Sequence, residues 1–322
     1  SGSLQEKAVL VSITELEKRT LDHCIMALPF NTTMQLPLNF PQTFMPERRL
    51  LAKLLPFAAN NGKGDKEAIS AETGIPTGKS TGKVNPIIRY AQGMNLIIAH
   101  KAEGEIWQLG LTGMGQLILQ EDPFLSELQT LWLLYLMLCR RHQLTLPARG
   151  IADAWFALFG DSNFRLGHCF TQTDYLTFLK ERHGDECKGY LKSLTGVVLH
   201  SSLEETCLGN LGVLQQEKNG KEIQFIRQSA PAEKSLFPAY AAGFYQVWDE
   251  LFPEETQLAL TDFSAQTGFF NLLGWNETTV MRWLEWQVDE GSMQLDRHTG
   301  TAMLLRLCET QLVINRIYQG LI

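Results

Sequence analysis

The sequence predicts a mainly α-helical fold. It is expected to hold a winged helix-turn-helix, a helical middle region and a second, winged-helix-like region at the C-terminus. Three observations carry that expectation. Apolar residues recur at helical spacing through much of the 322 residues, and a hydrophobic content of 44% is enough for a full core. Between residues 46 and 121 the signals run helix, short helix, Gly/Pro turn, helix, hairpin, helix. Near the C-terminus a capped helix and a hairpin repeat part of that order.

The leading "SGS" reads as an expression scar at the head of an N-terminal segment, 1–36. The winged helix domain is placed at 37–121. Its first helix is "PERRLLAKLLPFAANN" (46–61), with leucines on one face and Arg48, Arg49 and Lys53 on the other. Asp65 is a candidate N-cap for a short helix carrying Ala68, Ile69 and Ala71, which Gly74 ends. A third helix, "NPIIRYAQGMNLI", is expected to take Asn85 as its cap and Pro86 as its first residue, where a missing N–H costs nothing. "LIIAH" and "EIWQLG", joined by "KAEGE", read as a hairpin, and "LTGMGQLILQ" closes the unit as a helix.

The middle region is placed at 122–235. A helix is expected over 121–141, with Pro123 in its first turn. Its Trp132, Tyr135 and Met137 read as core packing rather than a ligand pocket. Further helices are expected over 151–160 and 171–182, the second capped by Thr173 or Asp174. Asn219-Gly220 marks a tight turn in a hairpin over 211–229. The C-terminal region, 236–322, opens with a helix over 236–252. A second helix starts near Glu277 with Asn276 as cap and Trp283, Leu284, Trp286 and Val288 among its apolar positions. Gly291 ends it, and "SMQLDR" with "TAMLLRL" forms a hairpin. Arg282, Arg297 and Arg306 are the basic residues of its helix and hairpin, so this region is expected to face protein or to be structural.

"ETGIPTGKSTGK" (72–83) comes close to a phosphate-binding loop. That motif needs G-x-x-x-x-G-K-[ST] between a strand and a helix, so that backbone N–H groups wrap the phosphates. Here three residues, not four, separate Gly74 from Gly78, and the preceding segment is helical. The stretch is better read as the turn leading into a recognition helix. Lys79, Ser80, Thr81 and Lys83 would lie on the DNA-facing side, Asn85, Arg89 and Tyr90 on the helix, and Lys101 at the wing. Lysine and arginine neutralise phosphates and release counterions, while hydroxyls and backbone N–H groups set the register. The competing reading makes these solvated turn residues on a winged helix that packs against protein.

The formal net charge is -7, which excludes a general polycation. Residues 47–101 nevertheless carry nine Lys+Arg against four Asp+Glu. The six cysteines (Cys24, Cys139, Cys169, Cys187, Cys207, Cys308) form no C-x-x-C pair, as expected of reduced thiols in a cytoplasmic protein. The longest apolar run, "TLWLLYLMLC", is about half a membrane span, and no signal peptide is read. His168 and Cys169 with Cys187 lack a paired ligand spacing, so no metal and no cofactor is expected. Asp296, Arg297 and His298 sit at a hairpin tip, where polar residues are ordinarily solvated; no catalytic residue is nominated.

Several boxes together resemble a bacterial family of unknown function, number 4007 in the domain-of-unknown-function series. They are "FPQTFMPERRLLAKLL", "IPTGKSTGKVNPIIRYAQGMNLI", "EDPFLSELQTLWLLYLML" and "TGFFNLLGWNETTVMRWLE". Gly78-Lys79, Ile88-Arg89-Tyr90, Asp122-Pro123-Phe124-Leu125 and Thr130-Leu131-Trp132 match its pattern; Gln42-Thr43-Phe44 replaces a histidine version, and Thr267-Gly268-Phe269-Phe270 is a weaker echo. The resemblance implies a non-catalytic component of DNA phosphorothioation or other anti-phage gene clusters. Its expected partners are double-stranded DNA and other subunits of a defence or DNA-modification complex, with no membrane. The alternatives are a protein-only scaffold subunit and a transcriptional regulator.

Overall fold

In the computed structural model, residues 34–184, 189–297 and 300–319 are described. The leading "SGS", His23, Cys24, Cys187 and His298 lie outside the described residues, as does all but the end of segment 1–36. The described residues are mainly helical with three small antiparallel sheets. Gln35–Ile322 form one compact unit, which includes the predicted segments 37–121, 122–235 and 236–322.

Helix α1 (Arg48–Ala59) buries Leu50, Leu51, Leu54 and Leu55, the leucine face that the periodicity predicts. Strand β1 (Lys63–Gly64) leads to α2 (Lys66–Thr73). Asp65 caps that helix by accepting the Ala68 N–H at 2.8 Å, and Gly74 ends it with φ at 69°. Helix α3 (Val84–Gly93) starts one residue before the predicted cap. Asn85 is therefore no cap; its Oδ1 accepts the indole N–H of Trp107 at 2.8 Å. Strands β2 (Ile97–Lys101) and β3 (Trp107–Leu111) form the expected hairpin, with Ile97 opposite Leu111 and Lys101 opposite Trp107. Helix α4 (Gly113–Glu121) follows, capped by Thr112, and the sheet order is β1-β3-β2.

The middle region departs more from expectation. Helix α5 (Leu128–Cys139) begins seven residues later than predicted. The buried Asp122 carboxylate takes the N–H groups of Ser126 and Glu127, both at 2.9 Å, and so builds a capped turn where helix was expected. Beyond Leu128 the whole of α5 is buried, and it packs between α3 and α10 (Phe237–Leu251). The helix expected over 151–160 is one α-turn, α6 (Asp153–Phe156), running into a π-helical turn (Ala157–Asp161). After α7 (Asn163–Leu166) and β4 (Cys169–Thr171) comes α8 (Gln172–His183). Its cap is Thr171, in a reciprocal capping box with Asp174, rather than Thr173 or Asp174. Helix α9 (Leu191–Ser201) precedes β5 (Leu214–Asn219) and β6 (Glu222–Arg227). Asn219 pairs with Glu222, so the tight turn is Gly220-Lys221, one residue later than predicted, with Gly220 at φ 65°.

After α10 come β7 (Gln257–Ala259), α11 (Leu260–Thr267), α12 (Phe269–Leu273) and α13 (Glu277–Asp289). Strands β8 (Met293–Asp296) and β9 (Met303–Arg306) and helix α14 (Thr310–Ile314) are the last elements among the described residues. The sheet order is β7-β9-β8. Asn276 caps α13 as expected, accepting the Thr279 N–H at 2.9 Å. Its core is aromatic: Phe244 of α10 lies 4.2 Å from Phe263 and 5.4 Å from Trp283, ring centre to ring centre.

Candidate nucleic-acid interface

The loop between α2 and α3 is closed on itself. Thr77 bridges to Gly82, and the Lys83 N–H bonds to the Pro76 carbonyl at 2.9 Å. Its two glycines are needed for space. A Cβ on Gly78 would stand 2.7 Å from the Thr81 carbonyl oxygen, and one on Gly82 would stand 2.8 Å from Thr77 Cα. The Lys66 ammonium donates to the carbonyls of Gly78 and Lys79 at 3.0 and 3.1 Å, fastening the loop to α2. Lys53 donates to the Gly74 carbonyl at 3.2 Å, fastening its start to α1. This construction lifts Lys79, Ser80 and Thr81 into solvent as an exposed tip.

The remaining nominated residues are placed differently. Tyr90 is fully buried; its hydroxyl donates to the Phe44 carbonyl at 2.9 Å and its ring meets Phe40 and Trp155 edge-on. It cannot contact DNA while folded, so its nomination is corrected: the aromatic belongs to the core. Lys83 pairs with Glu47 and lies 5.9 Å from the centre of the Phe44 ring. Arg89 lies over the Trp107 ring at 4.7 Å and donates to the Gln92 side chain at 3.0 Å; partial burial lowers its pKa from the ordinary value. Lys101 pairs with Glu105 and lies 5.5 Å from the same Trp107 ring. Asn85 holds the Trp107 indole, as described.

Seven of the ten residues of α3 are buried. The polar stripe that remains, Asn85, Arg89 and Gln92, is engaged with Trp107 and with the Ala99 carbonyl. As it stands in the fold, α3 is a packing element, not a projecting recognition helix. The physical reason is that two sides are covered: Val84, Ile87, Ile88 and Ala91 make one apolar face, and Pro86, Tyr90 and Gly93 are buried on the opposite side.

What stays on the surface is a track of cations leading to the loop. Arg49 is exposed one turn before Lys53 on α1; Lys53 and Lys66 reach the loop backbone; Lys79 is at its tip. Arg49, Lys53 and Lys66 were not nominated from sequence. The polar face of α1 was visible there, but its meeting with the loop was not. Glu67, 3.5 Å from Lys66, and the exposed Glu72 moderate the positive field. Among the described residues no three His, Cys, Asp or Glu side chains come together to hold a metal ion, and no helix is long and apolar enough to cross a membrane.

Solved proteins of similar fold exist. The chain is similar over 88% of its length to "Magnesium ion-bound SspB crystal structure", covering 87% of that chain with 16% identity and a TM-score of 0.68. It is similar over the same shares to "SspB crystal structure", with 17% identity and a TM-score of 0.64. At these identities the likeness is one of fold. No protein-family model and no curated protein matches the chain.

Proposed function

We propose that this chain is a non-catalytic, DNA-contacting adaptor subunit in a bacterial DNA-modification-linked defence system, of the phosphorothioation-linked kind. The fold it shares with SspB over most of both chains supports the system, as does the motif resemblance to family 4007. The region from α1 to β3 is read as a winged helix. Its helix–strand–helix–helix–strand–strand order and its β1-β3-β2 sheet support that reading.

The observation that carries DNA contact is the fastened, lysine-tipped loop at the end of the cation track. A loop held by Lys53 and Lys66 presents Lys79, Ser80 and Thr81 with little ordering left to lose on binding. Contact is thus made by the loop and α1, to phosphates, with limited base reading by α3.

Filter binding to duplex DNA across a salt series tests this. Arg49→Glu with Lys79→Glu is expected to weaken binding at least tenfold and to flatten the salt slope by about two contacts. Affinity that ignores salt, or that survives the double change, removes the reading. The buried α3 favours a second reading, a protein-only scaffold. That reading predicts no duplex binding at physiological salt and stable co-purification with a partner subunit.

A further inference from the structure

A cavity of about 400 Å³ opens in the middle region, away in sequence from the loop described above. Its walls are the stretch 35–38 and the side chains of Arg149, Asp153 and His183. Asp153 is a lone carboxylate in an otherwise apolar run, 3% exposed. One oxygen accepts the Gly150 N–H at 2.7 Å and an Arg182 N–H at 2.8 Å; the other accepts Arg182 Nε–H at 2.8 Å and lies 2.8 Å from His183 Nε2. Burial alone would raise its pKa. The hydrogen bonds from Arg182, the close approach of His183 Nε2, the Arg182 charge and the Gly150 N–H outweigh burial and hold it well below the usual carboxylate range.

Asp153 is therefore an anion whose lone pairs are spoken for. Arg182 is equally committed, to Asp153, to Asp161 and to the Ala148 carbonyl. Asp161 reaches it from the end of the π-helical turn, a distortion often found at functional sites. Arg149 is different. One of its nitrogens donates to the Arg182 carbonyl at 2.9 Å, while Nη1 has only a long 3.5 Å approach to Asp153, and the side chain keeps 29% of its exposure. His183 Nε2 lies 2.8 Å from the same carboxylate but out of line for a hydrogen bond, which leaves the ring as a polar part of the wall without a hydrogen-bond partner at that nitrogen. Leu36, Pro37 and Leu38 supply an apolar wall.

We infer that this cavity binds a terminal phosphate monoester. The Arg149 guanidinium and the His183 ring take the phosphate oxygens, and the apolar wall takes the sugar or base behind them. A guanidinium with a loosely held N–H is suited to a phosphate, and about 400 Å³ is within the range of small-ligand sites. Arg182 is shared between Asp153 and Asp161, so the two carboxylates and the two guanidinium groups balance, and the ligand is held by the N–H groups of Arg149 rather than by a net positive field. The phosphate could arrive on a free nucleotide or on the end of a nucleic-acid strand.

Titration calorimetry with inorganic phosphate, adenosine monophosphate, a 5′-phosphorylated trinucleotide and its hydroxyl-ended counterpart tests this. Phosphorylated probes are expected to bind at least about tenfold more tightly than the hydroxyl-ended one, the scale of a charge-assisted hydrogen bond. Binding of the mononucleotide alone assigns the site to free nucleotides, and binding of both assigns it to strand ends as well. Arg149→Gln is expected to reduce phosphate affinity about tenfold with little change in unfolding temperature, and His183→Gln to reduce it in a second, independent way. Arg49→Glu with Lys79→Glu should bind mononucleotide normally, which separates this site from the DNA-contacting loop. No heat from any phosphate probe at millimolar concentration, or affinity unchanged by Arg149→Gln in folded protein, overturns the inference.

Discussion

The stretch from α1 to β3 and the stretch from α10 to β9 run through the same order: helix, strand, further helices, hairpin. Their sheets also share an order, the third strand lying between the other two. Their surfaces differ. Residues 37–121 carry nine Lys+Arg against seven Asp+Glu, whereas residues 236–322 carry four against eleven. In the first, the helix before the hairpin, α3, buries seven of ten residues; in the second, α13 buries four of thirteen. The cationic unit hides the helix that a DNA reader would expose. The unit that exposes it is acidic, with Glu277, Glu285 and Asp289 on the outer face. The cause lies in what each helix meets. The α3 end is plugged into the molecule: the Gly93 carbonyl accepts from buried Arg140 at 2.6 Å, and Asn95 bonds to Gln246 of α10. Helix α13 packs one face only, through Trp283 and Trp286, on the α10 aromatics. Shared topology thus says little about shared surface, and function has to be argued from the surface.

The largest expected effect concerns the frame between the two units. Asp153→Ala leaves Arg182 buried and half-paired, and is expected to cost about 3–5 kcal/mol. If both units rest on one frame, amide exchange should speed up in α3 and α13 together; a rise in only one would separate them. The pH dependence has a definite sign. The folded pKa of Asp153 lies below the unfolded carboxylate value of about 3.9. Its contribution is therefore complete above about pH 4 and is lost as pH falls toward the folded value. Urea unfolding of the wild type should weaken across that acid range, and the Asp153→Ala protein should weaken less steeply.

A smaller effect bears on the two helices themselves. Ile88 on α3 is fully buried, and Val288 on α13 is 38% exposed. Ile88→Ala is expected to cost about 2–5 kcal/mol, through lost transfer energy and a cavity. Val288→Ala should stay within about 0.5 kcal/mol. Denaturant midpoints compare the two directly; equal costs would mean that the contrast in burial is not an energetic one.

Local chemistry was legible in the sequence, and tertiary pairing was not. Asp65, Asn276, Gly74 and Gly291 could be assigned because a cap or a left-handed turn is satisfied within four residues. The start of α5 was misjudged because Asp122 diverts the next turn's N–H groups, an alternative that helical periodicity does not register. Lys83, Arg89, Tyr90 and Lys101 were read as an outward set from their types alone. Their partners Glu47, Phe44 and Trp107 come from other elements, so engagement could not be read locally. The loop's lysine fasteners, 12 to 21 residues away in sequence, escaped for the same reason. Asp153 was the missed opportunity. A single carboxylate inside "IADAWFALFG" has to be paired if it is buried, although its partners stand 29 and 30 residues further on, where only the fold could place them.

The finest contrast lies between two glycines, one in each unit, that are required for different reasons. Gly291 ends α13 at φ 68° with nothing within 4 Å of a would-be Cβ, so its constraint is conformational. Gly82 closes the cationic loop with ordinary backbone angles, but a Cβ there would lie 2.5 Å from Thr77 Oγ1 and 2.8 Å from Thr77 Cα. Alanine at either position is expected to cost about 1 kcal/mol or somewhat more. Asparagine tells them apart. It tolerates the left-handed region, so Gly291→Asn should recover much of the loss, while Gly82→Asn still collides with Thr77 and should recover none. Thermal midpoints of the four variants read this out. Recovery at Gly82 would show that the Thr77–Gly82 bridge yields easily, and that the loop is not the fastened platform on which the contrast between the cationic and acidic units depends.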